Sequence, residues 1–264
     1  FSERYYKDYG ARPAFDIDLH IKEQDWKESI SVLYAMGWVS KFGNPYDLPN
    51  SDIHAHTFEN GKLEIDLHYR VNHYHFTNQT KEQIWESRQR SPNDFILLSS
   101  PVELLITLLH GLSFNLIPSI RWVADSVMIL KTFSPKEWER FVSIIKEEEN
   151  AAIISIALNY LKDNEFYPVP SEIIQRVDQL NTSKLNHKFF LLGIRKNIND
   201  FKIATFSIYR ISKSNNWNPL KTIIAISNHY KYLWAVNNNW KLMIVLIRRL
   251  MDKVFNPKRV ITRD

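Results

Sequence analysis

The sequence predicts an α+β protein in which a small mixed sheet is followed by a larger all-helical domain. Three observations indicate this class. Three segments near the N-terminus alternate apolar and polar residues, an Asn-Gly pair lies between the second and the third, and the apolar spacing is helical from about residue 80 onward. We therefore expect a sheet domain over residues 1–78 and a helical domain over residues 79–264.

The first predicted strand is Phe15 to Ile21. Because successive side chains of a strand point to opposite faces, its apolar residues share the face that we expect to lie in the core. Its polar residues share the other face, and these are Asp16, Asp18 and His20. After this strand, Asp25 is placed to cap a helix and Gly37 to end it. A short strand is then predicted over residues 38–42.

The second and third alternating segments, residues 53–58 and 63–69, flank Asn60-Gly61 and predict a β-hairpin. Glu64, Asp66 and His68 alternate with apolar residues in the second hairpin strand. If this strand and the first one bury their apolar residues in the same core, their polar residues share the opposite face. Asp66 then lies beside Asp16 and Asp18.

The remainder of the chain predicts helices. Ser100-Pro-Val-Glu103 and Ser134-Pro-Lys-Glu137 both fit a capping box with proline in the first turn. Further helices are expected at 119–132, 150–163, 171–180, 184–196, 199–212, 219–235 and 239–255. The last of these has a wide apolar arc, which predicts either a buried core helix or a helix-mediated partner. A peripheral membrane contact is the alternative, because Arg248, Arg249 and Lys253 lie on the same helix.

Composition excludes several classes of site. The chain has no cysteine, so disulfides, thiolate metal sites and a cysteine nucleophile are excluded. The net charge of +5 is concentrated in residues 240–264, which argues against a broad surface for nucleic acid. No apolar run is long enough to span a membrane, and we interpret the chain as soluble and cytoplasmic.

Asp16, Asp18 and Asp66 form a set of carboxylates that suits a divalent metal site. Two cations held in this way can serve phosphoryl transfer, and Mg²⁺ (or Mn²⁺) prefers such oxygen ligands. A histidine-bound metal in a hydrolase is an open alternative. It would draw on five histidines within 22 residues: His54, His56, His68, His73 and His75.

The segment from Gly10 to Ile21, with Arg12 followed by Asp-Ile-Asp, resembles the DNA polymerase beta-like nucleotidyltransferase superfamily. Together with Leu-Glu-Ile-Asp66-Leu-His68, it is similar to the branch called uncharacterised nucleotidyltransferase family 5. This resemblance implies transfer of a nucleoside monophosphate from an NTP such as ATP to a hydroxyl or phosphate acceptor, with release of pyrophosphate. It also implies that Asp16 and Asp18 bind metal and that Asp66 helps to activate the acceptor.

Two later segments, Leu109-His110-Gly111 and Arg121-Trp122-x-x-Asp125, are similar to the helical part of the same branch. The resemblance implies nucleotide or acceptor binding by Arg12, His68, His110, Arg121 and Asp125. From spacing alone, Arg121 and Asp125 can instead pair along one helix, and Arg12 can form a surface ion pair.

One element of the superfamily is missing from residues 1–10, namely the Gly-Ser or Gly-Gly pair that precedes the first strand. Either this pair lies upstream of Phe1, or the chain is a catalytically degenerate nucleotide-binding or interaction module. The acceptor, whether protein, RNA or a small molecule, is not indicated by any motif.

Overall fold

The computed structural model describes residues 1–12, 16–46, 54–70, 76–91, 95–112, 120–146, 150–180, 208–209, 211–213, 215–234 and 236–255. The chain divides into two compact units. The first, called the helical unit below, contains Phe1–Ala14 with Tyr74–Phe206. The second, called the sheet unit, contains Phe15–His73 with Ser207–Asp264. The division at residue 78 that we expect from the sequence stays a prediction.

The strands confirm the mixed sheet predicted near the N-terminus. They are β1 (Ile17–His20), β2 (Val39–Ser40), β3 (Ala55–Asn60), β4 (Leu63–His68), β5 (Gln89–Arg90) and β6 (Ile96–Leu97). The first four form one sheet in the order β1-β4-β3-β2, and β5 pairs with β6. The β1–β4 pairing is parallel, whereas β4–β3 and β3–β2 are antiparallel.

Helices make up most of the remaining described residues, which confirms the predicted fold class. They are α1 (Ser2–Tyr5), α2 (Trp26–Ala35), α3 (Asn78–Glu86), α4 (Ser100–Gly111), α5 (Arg121–Leu130), α6 (Pro135–Ile145), α7 (Ala151–Asp163), α8 (Ser171–Asp178), α9 (Pro219–Leu233) and α10 (Asn239–Phe255). The helix predicted at 184–196 and most of the one at 199–212 lie outside the described residues.

In the sheet unit, α2 packs on one face of the sheet. The buried side chains of this core are Trp26, Ile30, Leu33, Phe58, Ile65, Leu67 and Tyr69. Gly37 follows the end of α2 with a φ of +84°, as its predicted role as a helix stop requires. The expectation that β1 buries its apolar face is wrong for Ile17 and Leu19, which are 51% and 39% exposed. Because β1 lies at the edge of the described sheet, beyond β4, these two side chains extend past the core that α2 covers.

The predicted hairpin is confirmed, but its turn lies one residue later than Asn60-Gly61. Asn60 still pairs with Leu63, so the turn residues are Gly61 and Lys62. Of these residues Gly61 has a positive φ, +63°. Glycine adopts this conformation without the steric cost that a side chain would add.

In the helical unit, α4 packs against α5, α6 and α7. The capping box predicted at Ser134 and Glu137 is confirmed. The box predicted at Ser100 and Glu103 is wrong, because Ser99 occupies the N-cap position of α4, without a side-chain capping bond, and the Ser100 hydroxyl accepts a hydrogen bond from Arg4. The α4–α5 contact is very close, and a Cβ placed on Gly111 would lie 2.1 Å from Trp122 Cβ.

The last helix, α10, exposes an apolar stripe. Its exposed apolar side chains are Trp240, Met243, Ile244, Ile247 and Met251, whereas Leu242 is buried. A buried core position is therefore wrong for the stripe, and a helix-mediated partner for residues 239–255 stays a prediction. Among the helices in the described part of the chain, none combines the length and apolar character needed to cross a membrane.

Candidate metal centre

The parallel pairing of β1 and β4 brings two acidic residues together. Asp18 lies opposite Asp66, and one strand repeat further on His20 lies opposite His68. The His68 carbonyl accepts a hydrogen bond of 2.9 Å from the backbone N–H of Ile21, which continues the pairing past the end of β1. Because side chains at paired positions point to the same face, all four polar residues line one face of the sheet.

Three of the side chains on this face form a potential metal-binding group. Asp18, Asp66 and His68 can each offer one donor atom, and these atoms lie within 4.8 Å of one another. His68 Nε2 is 2.8 Å from Asp18 Oδ1. The Asp18 side chain is 72% exposed, whereas that of His68 is only 13% exposed. The group is therefore open to solvent on the Asp18 side and bounded by the His68 ring.

Asp16 lies just before β1 and experiences the charge of the same group. Its pKa is raised by partial burial and by the neighbouring charges of Asp18, Asp66 and Glu64, in that order. Like charges that cannot separate favour protonation of one member or binding of a cation. The raised pKa of Asp16 thus indicates an excess of negative charge on this face of the sheet.

The residues present fit a divalent cation. Asp66 Oδ1 is buried and has no hydrogen-bond partner among the described residues. A buried carboxylate oxygen in that state is costly unless it binds a proton or a cation. His20 is neutral at physiological pH, because burial and then the nearby His68 lower its pKa to about 4. Within the described ranges, no other set of three carboxylate or imidazole groups lies this close together.

A lysine lies beside the acidic face. Lys41 forms an ion pair with Glu64, and its pKa is raised by that hydrogen bond and by further charges that include Asp66. Neither Lys41 nor Glu64 has a role that the sequence predicts. Glu64 could have been found, since it is two residues before Asp66 on the same strand face, but no sequence signal places Lys41 there.

Two of the remaining histidines occupy different environments. The His54 ring lies against the His68 ring, with centroids 5.2 Å apart. His56 is buried on the core face beside Phe58, and its Nε2 is 2.7 Å from Ser40 Oγ. His56 therefore does not share the polar face on which Asp66 and His68 lie. Neither His54 nor His56 belongs to the three-donor group, while His73 and His75 lie outside the described residues.

The other predicted site residues belong to the helical unit, where Arg12 and Asp125 meet. Arg12 Nε donates hydrogen bonds of 3.0 and 3.1 Å to the two carboxylate oxygens of Asp125. Tyr6 donates a third hydrogen bond of 2.7 Å to Asp125 Oδ1, and Asp125 is only 4% exposed. The pKa of Tyr6 is raised by burial and by this bond. Asp125 thus fixes the N-terminal segment to α5, a contact that local spacing did not predict.

Arg121 and His110 lie on the surface of the same unit. Arg121 is exposed in the first turn of α5, close enough to Tyr6 for its charge to oppose the rise in the tyrosine pKa. His110 is exposed in the last turn of α4, next to the tightly packed Gly111. Their roles in binding a nucleotide or acceptor stay predictions.

Comparison with known proteins gives one match. A family model described as "Uncharacterised nucleotidyltransferase" matches residues 1–164, which is more than half of the chain. The matched region contains the potential metal-binding group of Asp18, Asp66 and His68 and also the Arg12–Asp125 ion pair. Searches of curated proteins and of solved structures found no match.

Proposed function

The chain belongs to the uncharacterised nucleotidyltransferase family, and from that premise we propose that it transfers a nucleoside monophosphate from an NTP to a hydroxyl or phosphate acceptor. In this reaction the acceptor oxygen bonds to the α-phosphorus while the bond from that phosphorus to pyrophosphate breaks. The observation that supports the proposal most is the group of Asp18, Asp66 and His68 on the open polar face of the β1–β4 pair.

The reaction is proposed to depend on Mg²⁺ or Mn²⁺ held by Asp16, Asp18 and Asp66. A bound divalent cation supplies positive charge that offsets the charge of the phosphate oxygens and of the leaving group. The contribution of the protein is then to hold the reactants in line and to place its carboxylates around the reacting phosphate. Asp66 is proposed to bind the cation and to favour loss of the proton from the acceptor hydroxyl.

In the helical unit, we propose that Arg121 and His110 contact the nucleotide or the acceptor, because both residues are exposed and lie in the matched family region. Arg12 and Asp125 are proposed to support binding indirectly. Their ion pair, together with Tyr6, anchors the N-terminal segment that leads to β1. The Arg12 guanidinium is therefore held in place by Asp125, and its proposed role is to support the fold of the N-terminal segment rather than to bind the ligand.

A catalytically degenerate nucleotide-binding module is the second candidate function. It is supported by the same group of Asp18, Asp66 and His68, which could hold a cation beside the phosphates of a bound NTP without turnover. Such a module would bind an NTP with a divalent cation but would release no pyrophosphate. For a histidine-bound metal hydrolase, the described residues provide no comparable observation.

The decisive experiment incubates the full chain with Mg²⁺ or Mn²⁺, α-labelled NTPs and candidate protein, RNA and small-molecule acceptors, and measures label transfer and pyrophosphate release. Asp18→Asn is expected to reduce turnover at least about a hundredfold, because it removes one cation-binding charge. Glu28→Gln, which changes an exposed acid on α2, is the matched control and should leave turnover unchanged. Equal turnover in Asp18→Asn and the unaltered protein would contradict the proposal.

A further inference from the structure

We propose that His68 is a direct ligand of the divalent cation and that its nitrogen gives the site a preference for Mn²⁺ over Mg²⁺. The inference rests on the proposed function in one respect only, since both use the same metal centre. It adds a nitrogen ligand to a site otherwise made of carboxylates.

The position of the imidazole is the first argument. His68 is the member of the donor group that bounds it on the buried side, and its donor nitrogen lies within 4.8 Å of both carboxylates. Two donors bound side by side on a small divalent cation, with bonds of about 2.1 Å, lie about 3 Å apart. The 2.8 Å between His68 Nε2 and Asp18 Oδ1 is already close to that separation.

The balance of charge is the second argument. Asp16, Asp18 and Asp66 bring three carboxylates to this face, and Lys41, which lies beside them, is already paired with Glu64. A protonated His68 would offset only one of these charges. A divalent cation bound through the neutral ring offsets two, and it also gives the buried Asp66 Oδ1 a partner.

The chemistry of the donors decides the choice of cation. Mg²⁺ binds imidazole weakly and prefers oxygen donors, whereas first-row transition metals accept imidazole readily. Mn²⁺ tolerates both donor types, so two carboxylates and one imidazole favour it over Mg²⁺. An alternative role for His68 is to donate a hydrogen bond that orients Asp18, with the cation bound by carboxylates alone.

Pulsed electron paramagnetic resonance of Mn²⁺ bound to the full chain separates these two roles, with no NTP present. A directly bound imidazole is expected to give a resolved ¹⁴N coupling that changes when the histidines are labelled with ¹⁵N. His68→Gln keeps a hydrogen-bond donor beside Asp18 and should abolish the coupling. His54→Gln, which alters the adjacent ring outside the donor group, should preserve it.

Competition titrations with Mn²⁺ and Mg²⁺ give the second readout. The affinity ratio of Mn²⁺ to Mg²⁺ is expected to fall about tenfold in His68→Gln, because the imidazole is the donor that favours Mn²⁺ over Mg²⁺. An unchanged ratio, the absence of ¹⁴N coupling in the unaltered protein, or no binding of Mn²⁺ at millimolar concentration would overturn the inference. If the nitrogen coupling appears without nucleotide transfer, the inference stands and the proposed activity fails. If nucleotide transfer is observed without nitrogen coupling, the proposed activity stands and the inference fails.

Discussion

Replacing Arg12 by alanine removes a cation that hydrogen-bonds both carboxylate oxygens of Asp125. Asp125 is 4% exposed and accepts two bonds from Arg12 Nε and one from Tyr6. After the replacement, the carboxylate keeps only the tyrosine hydroxyl as a hydrogen-bond partner from this set. We therefore expect Arg12→Ala to destabilise the fold through an uncompensated buried charge.

The size of this effect follows from the burial of the two groups. Removing one partner of a fully buried ion pair typically costs about 3–5 kcal/mol. The Arg12 side chain is 22% exposed, so water can reach part of the space it leaves, and Tyr6 still satisfies one oxygen. We expect a loss of about 2–3 kcal/mol in the free energy of unfolding, below the range for a fully buried pair.

Urea denaturation of Arg12→Ala, Asp125→Ala and the double variant measures both the loss and the coupling between the two residues. The coupling energy should be at least about 1 kcal/mol, because the residues share two hydrogen bonds. Arg140→Ala, an exposed arginine on α6, is the control and should change stability by less than about 0.5 kcal/mol. A similarly small loss for Arg12→Ala, or strictly additive effects of the two substitutions, would refute the reasoning.

Three further predictions concern other parts of the chain. Gly111→Ala should lower the free energy of unfolding by about 1–2 kcal/mol in urea titrations, because crowding against Trp122 outweighs the gain in helix propensity. His110→Ala, on the same turn, is the control. An increase in stability of Gly111→Ala would contradict this estimate. Burial lowers the pKa of His56, so the unfolded chain binds a proton that the folded chain excludes. His56 should therefore lower the free energy of unfolding as the pH drops below about 6.5, by at most about 1.4 kcal/mol per pH unit, in addition to the loss from His20, whose pKa is also lowered. Equal slopes in His56→Asn and the unaltered protein would argue against this cause. Asp16→Asn should slightly raise the thermal unfolding midpoint measured with a chelator, because the charged form of the Asp16 carboxylate is disfavoured in the folded protein. The same substitution should reduce the stabilisation that Mn²⁺ provides, and thermal melts with and without the cation test both effects.

The arrangement of Asp18 and Asp66 is the part of the site that the sequence predicts best. Two short segments with strict period-two alternation determine which side chains share a face, whatever the order of the strands. The structure adds that the two strands are parallel neighbours, which places these carboxylates directly opposite each other. The sequence also shows that His68 shares this face, but not that its ring reaches Asp18.

Contacts between distant residues are what the sequence does not predict. Arg12 and Asp125 are 113 residues apart, and the local i, i+4 rule favours Arg121 as the partner. Similarly, Ser100 fits a capping box by its local sequence, but its hydroxyl bonds to Arg4, 96 residues away. Spacing rules consider only hydrogen-bond partners within a few residues along the chain. They therefore cannot predict a partner that is distant in sequence and is brought close by the fold.

The parallel pairing of β1 with β4 has a further consequence for the precision of folding. β1 has only four residues and lies at the edge of the described sheet, where little besides its backbone bonds sets its alignment. A slip of one residue would turn Ile17 and Leu19 toward the polar face and remove Asp18 from Asp66. Any ligand that needs both carboxylates therefore binds one alignment of the strand and selects it over its misaligned neighbours.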